Sequence, residues 1–465
     1  MQIPVLNGIY TDSAADFRSS YPVNLVPVPK ENGISNGYLR PADGIEFFAD
    51  GPGIDRGGIN WNGVCYRVMG NRLVSVNAVG VITDLGEVIG SDRARFAYSF
   101  DRLAIASGGF LYYYDGTVTK VTDPDLGTAI DVIWIDGYFM TTDGVSLVVT
   151  ELTDPTKVDP LKYGSSEVDP DKIVALLKLR DEAYAVNRYT VEVFNNVGGE
   201  FFPFQRIDGA QLEKGAMGTN CVCTFGEVIA FLGSALNEPP AIYAGANGAI
   251  SKISTREIDQ ILMQYTEAEL SASVLEYRVD KQNDLLMLHL PDRCLVYDSA
   301  ATTVLRESIW HVLTTDVDGF STYRAKNFVW CYDKWIVGDP KSNRLGIMTN
   351  RVSSHWGELV RWEFGTTIVY NEGRGAIFHQ LELFALTGTV AFGASPMIST
   401  SYSVDGENWS QEKFIRSGTL GQRAKRLIWL QQGHMRTWRI QRFRGTSDSH
   451  LTVARLEAQL EGLAY

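Results

Sequence analysis

The sequence of 465 residues lacks most of the patterns that carry catalysis or metal binding. Its six histidines include no H-E-x-x-H, H-x-H or other ligand spacing, so a histidine-bound metal is not expected. A G-x-S-x-G elbow and a Walker A segment are both missing, which argues against nucleophilic and phosphate chemistry. We therefore predict no catalytic residue, no cofactor-binding residue and no metal ligand.

Membrane and secretion signals are also lacking. The longest apolar runs, such as Ile173–Leu177, are far too short to cross a bilayer. The segment Met1–Tyr10 has neither the basic region nor the apolar region of a secretion signal. The five cysteines are scattered without a C-x-x-C spacing, so we expect small apolar residues of a reduced protein. These absences predict a protein that folds in a cytoplasm and has no membrane-spanning segment.

Charge is distributed unevenly along the chain. The whole sequence carries −13, yet residues 411–450 hold nine basic residues against Glu412 and Asp448, a local charge of +7 that leaves −20 for the rest. Such asymmetry suggests a contact with nucleic acid or with an acidic protein surface, and a solvated sheet face has the same composition. Of the two contacts, we favour the one with protein. The nine residues are Lys413, Arg416, Arg423, Lys425, Arg426, Arg436, Arg439, Arg442 and Arg444.

The sequence does contain a regular succession of short apolar runs and tight turns. A hydrophobic content of 45% and a charged content of 21% are globular values, and 44 glycines with 11% aromatics favour strands and turns. Between Gly57 and about residue 350, runs of five to eight residues alternate with dipeptides such as Asn62-Gly63 and Asn247-Gly248. These dipeptides tolerate the positive φ of a type I′ hairpin turn. Arg93–Asp123 alone accommodates four such strands.

Blocks of this kind recur every 36 to 57 residues. A four-stranded meander at this spacing is typical of β-propeller blades, because one small sheet cannot bury both of its faces alone. We therefore predict an all-β fold with a propeller of six or seven blades over residues 56–350. Ser254 and Glu257 fit a capping box for one inserted helix over residues 255–265. The blocks begin near Gly57, Arg93, Ala129, Ile173, Asn220, Tyr277 and Ser321.

The two ends of the chain depart from this rhythm. Residues 1–55 are rich in prolines and turn residues, which predicts an extended N-terminal arm suited to contacts with a neighbouring subunit. After about Val352, longer strands alternate with a period of two, which predicts a β-sandwich-like domain over residues 351–465. Its strands are expected at Leu359–Phe364, Ala376–Ala385, Ile398–Val404, Arg426–Gln432 and Thr437–Phe443.

Three segments, which keep their order over the first two-thirds of the chain, carry a further signal. They are Tyr21-Pro22-Val23-Asn24-Leu25 with Gly37-Tyr38-Leu39-Arg40-Pro41, then Gly215-Ala216-Met217-Gly218-Thr219, and then Ser254-Thr255-Arg256-Glu257-Ile258 through Leu288-His289-Leu290-Pro291 to Leu295-Val296-Tyr297-Asp298. Together they resemble a known family, the tail hub (nozzle) proteins of Salmonella-type short-tailed bacteriophages. This family is also called tail accessory factor or packaged-DNA stabilisation protein.

The resemblance implies a structural protein of the virion tail, without enzymatic activity or cofactor, assembled in the host cytoplasm. It implies a homohexameric ring below the portal and its adaptor ring, which extends the DNA channel, helps to retain packaged DNA and mediates genome ejection. Tailspikes and a tail needle are the further partners, and double-stranded DNA passes through without sequence-specific binding. We expect the assembly interface to include Tyr21, Asn24, Tyr38, Arg40, Arg416, Arg423, Lys425, Arg426, Arg436, Arg439, Arg442 and Arg444.

The alternative is a propeller glycosidase, or a glycan-binding protein, that acts on the host surface. A glycosidase needs two carboxylates that converge near one site. The 55 acidic residues supply candidates, but no spacing in the sequence brings a pair together.

Overall fold

The computed structural model describes residues 2–3, 21–30, 37–166, 168–281 and 283–463. Antiparallel strands form two bodies, a β-propeller of seven sheets and a β-sandwich of two sheets. The predicted all-β fold with a propeller and a C-terminal sandwich is thus confirmed, and the blade number is seven.

Blades 1 to 4 are four-stranded meanders in which neighbouring strands follow one another in the chain. The turns form as their sequences predict, since Asn62, Gly63, Asn247 and Gly248 all have positive φ. The strands are Asp55–Trp61, Val64–Met69, Arg72–Val76 and Ile82–Glu87 in blade 1; Arg95–Tyr98, Leu103–Ser107, Phe110–Tyr114 and Val118–Lys120 in blade 2; Asp131–Ile135, Tyr138–Thr142, Ser146–Thr150 and Val158–Ser165 in blade 3; and Ile173–Leu179, Glu182–Asn187, Val191–Asn196 and Phe204–Arg206 in blade 4.

Blades 5 to 7 complete a closed ring. The inner strands of successive blades contact one another, and the inner strand of blade 7 returns to that of blade 1. Adjacent blades bury their faces together, as Val186 of blade 4 does with Phe231 of blade 5. The strands are Gly215–Ala216, Val222–Phe225, Val228–Ser234, Ala241–Ala246 and Ala249–Lys252 in blade 5; Val274–Asp280, Asn283–His289, Cys294–Asp298 and Trp310–Leu313 in blade 6; and Lys326–Cys331, Lys334–Gly338, Arg344–Thr349 and Gly44–Asp50 in blade 7.

The described part of residues 1–55 does not form the extended arm that we predicted, but adds strands to the propeller and to the sandwich. Gly44–Asp50 is the outer strand of blade 7, where it pairs with Arg344–Thr349. Leu25–Pro29 and Gly37–Pro41 form a hairpin that joins the sandwich. Apolar side chains between the prolines are buried in the chain itself, Leu39 to 0% exposure, so this segment belongs to both cores. Residues 4–20 and 31–36 lie outside the described residues.

The sandwich packs two antiparallel sheets over one apolar core that includes Trp362, Phe378, Trp429 and Phe443. Strands lie close to all five predicted positions. Lys413–Arg416, Thr452–Gly462 and the N-terminal hairpin were not predicted. The first sheet contains Leu25–Pro29, Gly37–Pro41, Thr452–Gly462, Ala376–Leu386 and Leu427–Leu430, with Gln2–Ile3 and His434–Met435 as short additions. The second contains Arg361–Gly365, Trp438–Thr446, Met397–Ser403 and Lys413–Arg416, with Val369–Tyr370 as a short addition.

Three short α-helices interrupt the described part of the propeller. The first, α1 (Arg256–Leu262), lies in the predicted helical region 255–265, and the second, α2 (Glu267–Ser271), lies just beyond it. The predicted capping box of Ser254 and Glu257 does not form, because the N-cap of α1 is Thr255 and the Ser254 hydroxyl donates to Asp259 instead. The third, α3 (Ser299–Leu305), was not predicted, and the described residues contain no helix long and apolar enough to cross a membrane.

The N-cap of α3 gives the first testable prediction. Asp298 is fully buried, its Oδ1 accepts a hydrogen bond from the Ala301 amide, and burial raises its pKa to about 6. Between pH ~4 and ~6, Asp298 is therefore protonated in the folded chain but ionised in the unfolded chain. Its contribution to stability falls as pH rises through that window. Asn at this position keeps the cap without the charge.

We accordingly expect Asp298→Asn to stabilise the propeller at pH 7.5, relative to the wild type, by on the order of 2 kcal/mol. Urea unfolding at pH 4 and pH 7.5 checks this, and the gain should vanish at the lower pH. A variant that is less stable than the wild type at pH 7.5 would show that the ionised carboxylate is the stabilising form.

Candidate assembly surfaces

Residues 21–24 fasten the sandwich to blade 6 within one chain. Asn24 Nδ2 donates to the carbonyl oxygens of Thr314 at 2.9 Å and Arg361 at 2.7 Å, and its Oδ1 accepts from the Thr314 amide at 3.0 Å. Tyr21 bonds through its hydroxyl to Thr255 Oγ1 at 2.8 Å. The predicted role of Asn24 in contacts between subunits does not apply to its side chain, because that side chain is buried and bonded inside the chain.

Arg40 also serves the contact between the two bodies. Its guanidinium forms ion pairs with Asp43 at 2.9 Å and Asp280 at 2.7 Å. Burial raises the pKa of Asp43, but the charges of Arg278 and Arg40 outweigh it and lower that pKa to about 2. Tyr38 is half-buried and lines an adjacent cleft of about 580 Å³ between sandwich and propeller. These residues therefore orient the sandwich against blades 6 and 7.

The predicted basic stretch does not form one surface, because alternate residues of a strand face opposite ways. Arg439 is fully buried, with its guanidinium on Gln441 Oε1 at 2.7 Å and the Gln432 carbonyl at 2.6 Å. The guanidinium also lies 3.8 Å from the centroid of the Tyr402 ring, and burial lowers its pKa to about 10. Arg439 is a buried structural residue, so we correct its assignment to the assembly interface.

Three further arginines of this stretch are neutralised on the sandwich surface. Arg444 pairs with Glu363 at 3.0 Å and with Glu412 at 3.0 Å. Arg442 lies 3.8 Å from the same Glu412 and 4.0 Å from the centroid of the Trp409 ring. Arg426 makes a two-pronged contact with Glu382, at 2.7 Å for both hydrogen bonds. Much of the positive charge of residues 411–450 is thus compensated by neighbouring carboxylates.

Exposed basic residues remain at one end of the sandwich. Arg416, Arg423 and Lys425 are exposed and form no ion pair with a described residue. The loop 417–426 that carries the last two is tied to the loop 387–396, since Thr387 Oγ1 donates to the Gln422 carbonyl at 2.5 Å. We call these two loops with Arg416 the sandwich tip. Arg436 is also exposed but lies at the other end of this domain.

An apolar group accompanies these charges and was missed in the sequence. Phe392 is 94% exposed in the loop 387–396, and Leu420 is 54% exposed in the neighbouring loop. The only sequence signal is an isolated Phe between small residues, Ala391 and Gly393. An aromatic ring so exposed beside unpaired cations is typical of an interaction surface.

An ion pair spans the central axis of the propeller. Arg93, at the start of blade 2, pairs with Glu276 in the inner strand of blade 6, so this contact crosses the axis. The Asn327 amide donates to Glu276 at 3.1 Å, and His289 Nε2 lies 3.1 Å from its carboxylate. Burial raises the pKa of Glu276, but the charge of Arg93 and the adjacent His289 imidazole lower it to about 2. The axis is therefore filled by a fixed polar network.

The described carboxylates do not resemble a glycosidase pair. Such a pair needs one carboxylic acid that stays protonated beside the substrate. Asp43 and Asp280 come together around two arginines, Arg40 and Arg278, and the pKa of Asp43 is depressed. Asp298 has a raised pKa but is fully buried under α3. This geometry does not favour the glycosidase alternative.

Two solved structures are distantly similar to this chain. The WD40 domain of Neurospora crassa Pan2 is 11% identical with a TM-score of 0.43, and the match covers 66% of this chain and 95% of that one. The N-terminal domain of Nup159 is 9% identical with a TM-score of 0.41, covering 71% and 99%. Both TM-scores are below 0.5, so these likenesses bear on neither the function nor the site.

Comparison of the sequence with known protein families gives matches over both the propeller and the sandwich. A curated relative, the tail hub protein gp10 of Salmonella phage P22, is 28% identical, and the match covers 99% of each chain. The model described as "Bacteriophage P22 Gp10, beta-propeller" matches residues 1–353, and "Bacteriophage P22 Gp10, beta-sandwich" matches residues 361–461. Since these two matches span both the seven-bladed propeller and the sandwich, the chain belongs to the bacteriophage P22 Gp10 family.

Proposed function

We propose that the chain is a structural subunit of the tail hub of a short-tailed bacteriophage. Family membership over both bodies is the observation that carries this proposal. The internal fastening supports it, because Asn24 and Arg40 hold sandwich and propeller in one fixed relation. A subunit that transmits mechanical force within an assembly needs that rigidity.

In this proposal, six copies form a ring below the portal and its adaptor ring. Each propeller axis is filled by the Arg93–Glu276 network, so DNA would run through the space enclosed by the ring and not through a propeller. The net charge of −13 suits the wall of such a channel, because like charge keeps the phosphate backbone from adhering during passage. Tailspikes and a tail needle would be the other protein partners, and the ring would help to retain DNA until ejection.

We further propose that the subunit has no catalytic role. Asp43 and Asp280 come together but are neutralised by arginines. Of the two described carboxylates whose pKa is raised, Asp298 is fully buried and Asp171 accepts hydrogen bonds from the backbone amides of residues 189 and 190. Release of sugar from host surface polysaccharide by the purified protein, abolished by neutralising a carboxylate, would overturn this.

The test is assembly on heads that carry the adaptor ring but lack a hub. Purified protein added to such heads should produce a tail stub in negative-stain micrographs and should slow the loss of packaged DNA. Heads that gain neither a stub nor DNA retention would refute the proposal. A protein of equal size and charge from outside the tail serves as the control for non-specific adhesion.

A further inference from the structure

Blade 3 is the most acidic part of the molecule. Between Asp123 and Asp171 the sequence has eleven acidic residues and two lysines, a local charge of −9. Both lysines are already paired within the blade, Lys162 with Glu151 at 2.7 Å and Lys157 with Asp123 at 4.0 Å. Asp131 is paired with Arg95 of blade 2 at 2.9 Å, and the remaining described carboxylates of the blade form no ion pair with a described residue. A surplus of negative charge therefore remains on this blade.

The outer edge of blade 3 is also unusually open. Its last strand, Val158–Ser165, has eight residues and is the longest outermost strand of the seven blades. On its outer side it pairs with no other strand of the described chain, although the short turn at residues 124–126 lies against it and the Asp125 carbonyl accepts from the Tyr163 hydroxyl. Leu161 and Tyr163 on this strand are 67% and 39% exposed, and Leu152 beside it is 56% exposed. Folded proteins usually cover or charge such an edge, because it offers backbone hydrogen bonds to another chain.

The sandwich tip has the complementary composition. The tip contains four basic and no acidic residues. Arg426 is paired with Glu382, so three uncompensated cations remain around the exposed Phe392 and Leu420. Each surface thus has exposed apolar side chains surrounded by charge of a single sign, and the two signs are opposite. An apolar centre with a charged rim is the usual anatomy of a protein–protein interface.

Within one chain the two surfaces lie on opposite sides. The sandwich is attached to blades 6 and 7 through Asn24, Arg40 and the outer strand Gly44–Asp50. In a closed ring of seven blades, blade 3 is three blades away from both of these. The two surfaces can therefore meet only between different copies of the chain.

We propose that the sandwich tip of one copy binds the outer edge of blade 3 of the next copy. A contact between two different surfaces is heterologous, and repetition of a heterologous contact with a closing rotation generates a ring. This inference rests on the proposed function as a ring subunit and deepens it by naming the two contacting surfaces. The exposed apolar residues on both surfaces favour a second copy over DNA, which would require only the cations.

Charge reversal tests the proposal. Arg423→Glu with Lys425→Glu at the tip, or Asp125→Lys with Asp159→Lys at blade 3, should each weaken self-association at least about tenfold in sedimentation velocity. The four changes together should restore association, because the two signs are then exchanged. The matched control, Arg374→Glu with Arg436→Glu, lies about 30 Å away at the other end of the strand Ala376–Leu386 and should associate like the wild type.

A cross-linking experiment reads the contact directly on assembled tails. Phe392→Cys combined with Leu161→Cys should give covalent multimers with a short bismaleimide, whereas Phe392→Cys combined with Val79→Cys should not. Val79 is 78% exposed on blade 1 and so tests accessibility alone. The natural cysteines are buried or half-buried, and the unmodified protein controls for them.

The outcomes separate this inference from the proposed function. If the wild type builds tail stubs on heads and both charge-reversed variants do so equally well, the assignment of surfaces is wrong and the hub function stands. If the wild type builds no stub, the proposed function falls. Loss of DNA binding by the tip variant with unchanged self-association would assign the tip to nucleic acid and overturn the proposal.

Discussion

Asp55→Asn is expected to lower the free energy of unfolding of the propeller by about 3–5 kcal/mol. Asp55 and Arg67 in blade 1 form an ion pair in which both side chains are fully buried. The two carboxylate oxygens accept from Arg67 Nε and Nη2, each at 2.7 Å, and one of them also accepts from Asn327 Nδ2 of blade 7 at 2.7 Å. An asparagine leaves the buried guanidinium uncompensated and turns an NH₂ group toward one or more of these donors.

The same contact joins blade 1 to blade 7, so its loss should weaken the contact that closes the propeller. Arg67 donates as well to the carbonyl of Asn327 at 2.9 Å, and the strand Gly44–Asp50 completes that blade. Thermal unfolding of the full chain, with urea titration for the magnitude, measures the effect. We expect the propeller transition to move to lower temperature and the closing blade to lose protection from hydrogen exchange first.

Blade 1 supplies a matched control. Arg72 and Asp84 form an ion pair of the same length, 2.7 Å, with both side chains nearly half exposed at 43% and 48%. Asp84→Asn should leave stability nearly unchanged, because water already solvates both charges. Equal effects of Asp55→Asn and Asp84→Asn would contradict the view that burial makes the first pair indispensable.

Local chemistry made much of this fold predictable. The Asn-Gly turns at Asn62 and Asn247 take up the positive φ that their sequence favours, and each lies between strands of one blade. The segment Arg93–Asp123 contains the four strands predicted there, among them Leu103–Ser107 and Phe110–Tyr114. A meander is a chain of neighbouring hairpins, so a pattern of short runs and turns is sufficient to identify it.

Pairing between distant segments was not predictable in this way. Gly44–Asp50 completes a blade whose other strands lie almost 300 residues further along, and Gly37–Pro41 pairs with Thr452–Gly462. No local pattern encodes which distant edge a strand will meet, so these strands were interpreted as an arm. The resemblance to the tail hub family identified the family from the same segments without revealing their structural place.

The candidate assembly surfaces were likewise predictable only in part, namely where local sequence decides the outcome. Sequence counting located the positive charge of residues 411–450, but the alternation of a strand decides that Arg439 faces the core while Arg442 and Arg444 face carboxylates. Phe392 carries no pattern, because exposure of a single ring depends on the loops around it. The acidic charge of blade 3 was countable in the sequence, and only the ring of blades places it opposite the sandwich.

The second large effect is expected at Asn24, where sandwich and propeller are joined. Asn24→Gly keeps the positive φ of 51° that this position requires, so it introduces no backbone strain. Glycine adds a small entropy cost through the unfolded chain, which an Asn→Gly change at an exposed turn measures, and the loss beyond that control reports the side chain. It leaves two buried carbonyls, those of Thr314 and Arg361, and the Thr314 amide without their partner. Each unsatisfied buried group costs about 1–3 kcal/mol, so we expect a loss of roughly 3 kcal/mol or more.

The matched control is Asn247→Gly, at an exposed turn with the same φ of 51°. Its amide side chain makes one long contact, from the Tyr184 hydroxyl at 3.4 Å, so the change should be nearly neutral. Because Asn24 links the two bodies, Asn24→Gly should also let them unfold in separate transitions, and proteolysis should cut between residues 350 and 361 first. If the two bodies of Asn24→Gly still unfold together at the wild-type temperature, the sandwich is held by the Arg40 ion pairs and the hairpin alone, and Asn24 only shapes the turn.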